Sequence, residues 1–452
     1  MSLAAKSLSV LQREALLFAS NMLTAVVVAR VLGPHALGIW VILNLIPPYA
    51  EMLGRTKVDV AAVYFLGRGQ YALGDVAFAI HAIAIATSAL VIAPAMIFFD
   101  PLVAALFRSE AAEAAPYVPL MLAVIPLNFL YLNYTYLHIH REDAASVNAM
   151  VLTRALGGGA ILLVSLLVFD LKIAGVATAA IAGPFMALGV GIRRFPHAGR
   201  EGPRLNLPLL KDLLGYGGKL YLGTLLTTLN SYASQALLIA YCAPAKVAFF
   251  AVAQQLGQPL TKITESLGVF LYPRLARETS SEGARVVAAR AFRVATIINL
   301  SAALVAAVAI RPAILWLYGA QYEPVLTPFY ILLPGLAVAA AASTTGIYFQ
   351  GVGRPDLVAK ITVVPLVLQI GAGFLLVPQL ETFGAALALT TALLATSAVQ
   401  VGAFVRVSGT AINELIATRS DINIVAGFAI DTLRKLLKRL QVRRARRPVD
   451  GA

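Results

Sequence analysis

The chain has 452 residues, 59% hydrophobic and 13% charged, with a formal net charge of +14 and a mean hydropathy of +0.81. Soluble domains carry about 25% charged residues, so this composition excludes an ordinary water-soluble enzyme or binding module. The single cysteine, Cys242, excludes an internal disulfide and a cysteine-based metal framework.

Apolar runs near the length that crosses the hydrocarbon, about 20 residues, recur along the whole chain. Lys6 and Arg13 precede the first one, as in a signal peptide, but no small-residue cleavage pattern interrupts it before Arg30. A second run follows at once, so the first is expected to stay as a membrane helix. The predicted spans of the first half are Glu14–Leu32, Leu37–Leu66, Val76–Phe99, Pro119–Ile139, Val147–Phe169 and Ile173–Ile192. Those of the second are Leu220–Tyr241, Val247–Tyr272, Val294–Ile310, Thr327–Phe349, Leu357–Val377 and Ala385–Val405. Helix breakers sit between them at Gly33-Pro34, Pro101, Ala243-Pro244, Gly351, Gly353 and Pro355.

Basic residues are retained on the cytoplasmic side of a membrane. With the N-terminus inside, about 28 Lys and Arg fall on the cytoplasmic side and 5 on the other. The asymmetry predicts twelve crossings with both termini cytoplasmic. It also accounts for the positive charge without nucleic acid, because the charge collects on one membrane face. The run Arg434-Lys435, Lys438-Arg439, Arg443-Arg444, Arg446-Arg447 alternates with Leu433, Leu436, Leu437 and Leu440 at helical spacing. A segment of that kind lies on an anionic leaflet, each basic residue contributing about 1 kcal/mol.

The chain also repeats itself at a spacing of about 210 residues. The turn Ala29-Arg30-Val31-Leu32-Gly33-Pro34 through Gly38 has a counterpart at Leu238–Val247, each a tight turn carrying a proline. Leu106-Phe107-Arg108 before a helix with Pro119 and Pro126 is matched by Leu317-Tyr318-Gly319 before one with Pro328 and Pro334. The expected architecture is an all-α membrane protein with about twelve helices in two pseudo-symmetric six-helix bundles around a central cavity. The bundles are placed at residues 1–198 and 213–408, joined by a cytoplasmic linker at 199–212 and followed by a basic amphipathic tail at 409–452.

At the first turn the chain resembles a known family. Ala29-Arg30-Val31-Leu32-Gly33-Pro34 with Gly38 is similar to the first-loop signature of polysaccharide and O-antigen flippases. These belong to the multidrug/oligosaccharidyl-lipid/polysaccharide (MOP) exporter superfamily. Leu271-Tyr272-Pro273-Arg274-Leu275, and Tyr348-Phe349-Gln350-Gly351 with Gly353-Arg354-Pro355, resemble its eighth-span end and its tenth-to-eleventh connection. In the second half the signature weakens to Ala243-Pro244 and Ala248. The resemblance implies a non-enzymatic carrier in the bacterial inner membrane that flips undecaprenyl-diphosphate-linked oligosaccharide to the outer leaflet by alternating access. It implies no cofactor, and as partners the lipid-linked oligosaccharide, anionic lipids at the tail, and glycosyltransferases or a polysaccharide polymerase.

Charge inside a span is costly and marks a pathway. Glu51, Arg55 and Asp59 at i, i+4, i+8 are expected on one helix face, pairing along it, with Lys57 beside them. Lys262 and Glu265 interrupt the eighth span, and Arg154 and Lys219 lie within the fifth and seventh. A diphosphate requires cationic donors, so Arg55, Lys57, Arg154, Lys219, Lys262 and Arg30 are the candidate substrate-binding residues. Glu265 and Asp59 are the candidate ion-coupling acids. Each has a plainer alternative: Arg55 and Lys57 as loop residues, Lys219 and Arg154 snorkelling, Arg30 fixing its hairpin, and Lys262–Glu265 as a structural pair. His138 and His140 at i, i+2 do not share a helix face, so no metal site is expected. Gly157-Gly158-Gly159 is read as a close-packing or kinking element. Gly217-Gly218-Lys219 followed by Leu220 lacks the pattern of a phosphate-binding loop. Two other functions stay open: a multidrug exporter of the same superfamily, and a membrane polysaccharide polymerase or ligase, for which the short outer connections supply no catalytic set.

Overall fold

The computed structural model describes residues 3–195, 206–278, 280–423 and 425–427. Much of the expected linker and the basic run after Asp421, including Arg434 to Arg447, lie outside the described residues.

Among the described residues every regular element is a helix. In chain order these are α1 (Leu3–Leu43), α2 (Ile46–Gly54), α3 (Val58–Gly67), α4 (Leu73–Ile97), α5 (Phe99–Phe107), α6 (Ala111–Ala114), α7 (Val118–His140) and α8 (Ala144–Leu152). A π-helical turn at Thr153–Gly157 joins α8 to α9 (Gly158–Leu167). Then follow α10 (Lys172–Arg194), α11 (Leu207–Tyr241), α12 (Pro244–Arg277), α13 (Ser281–Leu317), α14 (Leu326–Gly351), α15 (Pro355–Ile361) and α16 (Val363–Ser408).

Among the described residues, eight helical stretches are long and apolar enough to cross a membrane. Three of them exceed the length of one span by far, Leu16–Gly54 with 39 residues, Phe99–His140 with 42 and Val363–Ser408 with 46, and the first and last of these contain a kink. Each kink is a residue off the helical backbone, Gly33 at φ 72° and Glu381 at φ 52°. With the two kinked stretches taken as two crossings each, and α11 (35 residues) and α12 (34 residues) long enough for one each, the described residues are consistent with about twelve crossings. The chain is a multi-pass, all-α membrane protein.

The chain forms two compact units. The first comprises Met1–Val252, Pro312–Val325 and Ala372–Ala385. Its start is built on the Gly33-Pro34 turn. Gly33 takes a left-handed backbone that costs glycine nothing, and Pro34 opens the next helical limb, where its missing N–H is not needed. Gly38 has a different reason to be glycine: a Cβ there would overlap the carbonyl of Pro244, so the two repeat-related turns touch at this point. The Arg30 guanidinium donates to the Leu317 carbonyl (2.6 Å) and to that of Trp316, and the Tyr322 hydroxyl donates to the Ala29 carbonyl at 2.6 Å. At Glu381 the carboxylate pairs with Lys246.

Within the same unit α10 packs on α7, α8 and α9, and α7 on α2, α3 and α4. Small residues permit the closest approach: a Cβ on Gly158 would lie 3.2 Å from the Gly183 Cα, and one on Gly183 would lie 2.9 Å from the Arg154 carbonyl. The glycine triplet is thus a packing element, as the sequence indicates. A core of Val58, Ala61, Ile80, Leu137, Leu209 and Leu213 joins α3, α4, α7 and α11.

The second unit comprises Ala253–Arg311, Leu326–Gly371 and Ala386–Ala452. Leu271, Leu275, Ala284, Ala288, Tyr348, Phe349 and Phe404 form a buried cluster in it, and Leu415 joins them from beyond the end of α16. The chain after α16 is fastened by charge as well. Arg285 donates two hydrogen bonds to the Glu414 carboxylate (2.9 and 2.7 Å). Arg293 donates to Asp421 at 2.7 Å and to the Glu414 carbonyl at 2.6 Å. Asp421 is buried and also accepts from the Thr418 amide and hydroxyl.

Candidate functional site: a polar cavity in the first unit

The expected continuous face from Glu51 to Asp59 does not form. α2 ends at Gly54, Lys57 adopts a left-handed backbone at φ 57°, and α3 begins at Val58. The break separates Glu51 from the other two. Arg55 pairs with Asp59, which is buried, and the Asp59 carboxylate also accepts from the Val60 amide at 3.0 Å. Glu51 does not join that pair. Its carboxylate accepts from the Asn128 amide of α7 at 2.8 Å. The break is supported from α11, where a Cβ on Gly217 would overlap the Thr56 carbonyl.

Glu51 lines an open cavity of about 790 Å³ bordered by α1, α2, α7, α8, the π-helical turn, α9, α10, α11 and the start of α12. Of the described residues lining it, Glu51 and Arg154 are the charged ones. The polar and aromatic side chains include Asn21, Thr24, Trp40, Asn44, Tyr131 and Tyr232. The remaining wall is largely Leu, Val, Ala, Gly and Pro. Such a site, mostly apolar with a few convergent polar groups, is the usual form of a small-molecule pocket.

Arg154 is placed by the π-helical turn, a distortion that tends to appear at functional sites. Its guanidinium donates to the Asn128 carbonyl oxygen at 3.0 Å and lies 4.7 Å from the centre of the Tyr131 ring. Asn128 thereby bridges acid and base, its N–H to Glu51 and its oxygen to Arg154. The orientation is self-consistent, since an ionised carboxylate only accepts and a guanidinium only donates. The Tyr49 hydroxyl donates to the Tyr232 carbonyl at 3.2 Å, tying α2 to α11 beside the cavity.

The structure brings one of the six candidate cationic residues, Arg154, into this cavity. Arg55 and Lys57 lie in the α2–α3 break, and Arg30 is occupied with the carbonyls of α13. Lys219 is exposed on α11. In the second unit Lys262 and Glu265 pair at 2.7 Å and are both 61% exposed. Asp59 is taken up by Arg55. His138 is buried, with Nε2 3.1 Å from the Gly191 carbonyl, which gives it a structural partner. On the surface His35 sits 3.3 Å from Glu113 and 3.6 Å from Glu110 as an exposed cluster of possible ligands. Asn128 and Tyr131 carry no sequence signal apart from lying one helical turn apart in a span.

Fold and cavity together define the class: a many-helix membrane protein with a ligand-sized pocket walled by its spans. The profile of the polysaccharide biosynthesis protein family matches residues 27–327. The chain belongs to that family. No curated protein sequence matches it significantly. Among solved structures it resembles a multidrug resistance MATE family transporter of the MOP superfamily in an inward-facing conformation. That match has a TM-score of 0.73 and 15% identity, over 86% of this chain and 94% of the other. It also resembles lipid II flippase MurJ in an inward closed conformation, with a TM-score of 0.63 and 11% identity, over 94% and 98%. An outward-facing MATE structure matches at a TM-score of 0.56 and 16% identity, over 87% and 94%. At these identities the likeness is one of fold: the chain has the fold of MOP-superfamily transporters.

Proposed function

We propose that this protein flips an undecaprenyl-diphosphate-linked oligosaccharide from the inner to the outer leaflet of the bacterial inner membrane, by alternating access and with both termini cytoplasmic, for cell-surface polysaccharide synthesis. The observation that carries this reading, alongside the family, is Arg154 in the cavity. A guanidinium held by one hydrogen bond and an aromatic face has further N–H donors for a diphosphate. The volume falls within the roughly 300–1,000 Å³ of small-molecule sites, which suits a diphosphate with its first sugars rather than a whole glycan. Lys219 and Lys262 would serve as further cationic contacts along the route, and glycosyltransferases and a polymerase would work on either side of it. The test is complementation of a deletion strain. Arg154→Gln is expected to abolish surface polysaccharide while the protein remains folded in the membrane; normal polysaccharide would refute the reading.

A second reading, export of cationic drugs, is favoured by Glu51 among Trp40, Tyr131 and Tyr232, since aromatic faces and a carboxylate attract cations. Drug hypersensitivity of the deletion strain with intact surface polysaccharide would select it.

A further inference from the structure

The turn after Gly33 carries a histidine that faces two carboxylates from a different part of the first unit. His35 lies two residues past Gly33, at the head of the second limb of α1. Glu110 and Glu113 lie one helical turn apart on the short helical segment that follows α5. That segment is held in place: Phe107 is 2% exposed and Ala114 fully buried, one on each side of the two acids, and α5 packs on α1. The acids are thus presented by fixed backbone, while the three side chains reach solvent, 52% exposed for His35, 28% for Glu110 and 46% for Glu113.

The distances decide between an ion pair and a ligand set. His35 Nε2 is 3.3 Å from Glu113 Oε2 and 3.6 Å from Glu110 Oε2. A charge-assisted N–H···O bond closes to about 2.7–2.9 Å, as Lys262–Glu265 and Arg293–Asp421 do at 2.7 Å. The histidine closes on neither carboxylate, and one imidazole nitrogen has a single N–H to share between two. The three ligand atoms nevertheless lie within 4.8 Å of one another, gathering two anionic oxygens around one nitrogen. Bonds of about 2.0–2.1 Å in a tetrahedron put neighbouring ligand atoms about 3.3–3.4 Å apart, close to both observed separations. The octahedron of Mg2+, with bonds of the same length at right angles, needs about 2.8–3.0 Å, and Ca2+ takes oxygen rather than imidazole. Ser109 supplies the support a ligand needs: its hydroxyl donates to Glu110 Oε1 at 3.2 Å, leaving Oε2 turned to His35.

We infer that His35, Glu110 and Glu113 form a zinc site, which binds one Zn2+ or a divalent ion of the same tetrahedral preference and leaves the fourth position open to water. One imidazole with two carboxylates is a donor set that zinc accepts. The ion neutralises both carboxylates and joins the Gly33-Pro34 turn to the segment after α5. None of the three residues lines the cavity, so the site does not depend on what the cavity carries.

The experiment uses the full-length protein, purified without a polyhistidine tag and held in nanodiscs, with CoCl2 as the probe and ZnCl2 as the competitor. The wild type should take up one cobalt per chain with the visible absorption of tetrahedral Co2+, release it to zinc, and gain thermal stability with either metal. Removing an outer-shell partner weakens a metal site about 10–100-fold, so Ser109→Ala should fall in that range. His35→Ala and Glu113→Ala should lose the cobalt band outright. Without metal these two variants should melt with the wild type, since no well-made bond is lost, and this also shows that they are folded. Absence of a stoichiometric cobalt band in the wild type overturns the site. A band that survives in His35→Ala overturns it as well, by placing the metal at another histidine. Metal-free destabilisation of His35→Ala, with no response of the wild type to metal, would make the cluster a structural ion pair instead.

Discussion

The fastening of the chain after α16 allows a worked prediction. Arg293→Met removes both bonds to the following segment and leaves Asp421, 1% exposed, without its cation. Breaking a buried pair by removing one partner costs about 3–5 kcal/mol. At about 1.4 kcal/mol per tenfold change, that shifts the balance between docked and undocked segment by at least about 100-fold. Arg285→Met is the internal control. Its partner Glu414 is 39% exposed, and an exposed pair is worth about 0.2–1 kcal/mol, so the shift should stay under about tenfold. Amide hydrogen exchange of residues 410–423 in the full-length protein reads both values. Equal protection in Arg293→Met and wild type would show that Leu415 and the surrounding apolar contacts hold the segment without the ion pair.

The pH dependence of the same fastening follows from Asp421. Burial raises its pKa, but the hydrogen bonds from Arg293 and Thr418 outweigh burial and bring it from 3.8 to about 2. A depressed carboxyl stabilises the docked state fully above the undocked value, so the protection factor of this segment, the exchange rate divided into its intrinsic rate at each pH, should be constant above about pH 5 and fall only as pH drops from there toward 2. Gly38→Ala places a methyl group on the Pro244 carbonyl, and overpacking against backbone costs about 1–3 kcal/mol; the thermal midpoint should drop, and an unchanged midpoint would place the two turns further apart than described. Gly217→Ala should act the same way on Thr56, with its effect visible as faster proteolysis or exchange around residues 54–58.

Much of the membrane architecture was legible because hydropathy is a sum over about 20 residues and tolerates local errors. Gly33-Pro34 was legible for a sharper reason: a glycine that can turn left-handed, followed by a proline that starts a helix. The break at Arg55–Lys57 was legible only as the alternative that makes both loop residues, since the residue that takes the left-handed backbone is a lysine and its support, Gly217, lies far away in sequence. The continuous face expected in its place carried an error forward. Spacing of i, i+4 correctly paired Arg55 with Asp59 and, at i, i+3, Lys262 with Glu265, because those bonds are local. It misassigned Glu51, whose partner Asn128 is 77 residues distant. Arg154 was identifiable as a charge within a span, but its place in the cavity depends on Asn128 and Tyr131, which polarity alone does not distinguish from other span residues.

The π-helical turn at Thr153–Gly157 has a consequence for the history of the sequence. A π-turn accommodates one residue more than regular α-helix, so the span from α8 to α9 carries one residue beyond what an unbroken helix of the same rise would hold. One residue corresponds to about 100° of rotation around a helix with 3.6 residues per turn. Deleting any one residue from 153 to 157 would restore an unbroken helix and swing the preceding segment relative to Gly158 and its contact with Gly183. Homologues that lack the extra residue should therefore carry their cation at another position, and a gap in an alignment at this point would mark a change of ligand rather than a neutral loss.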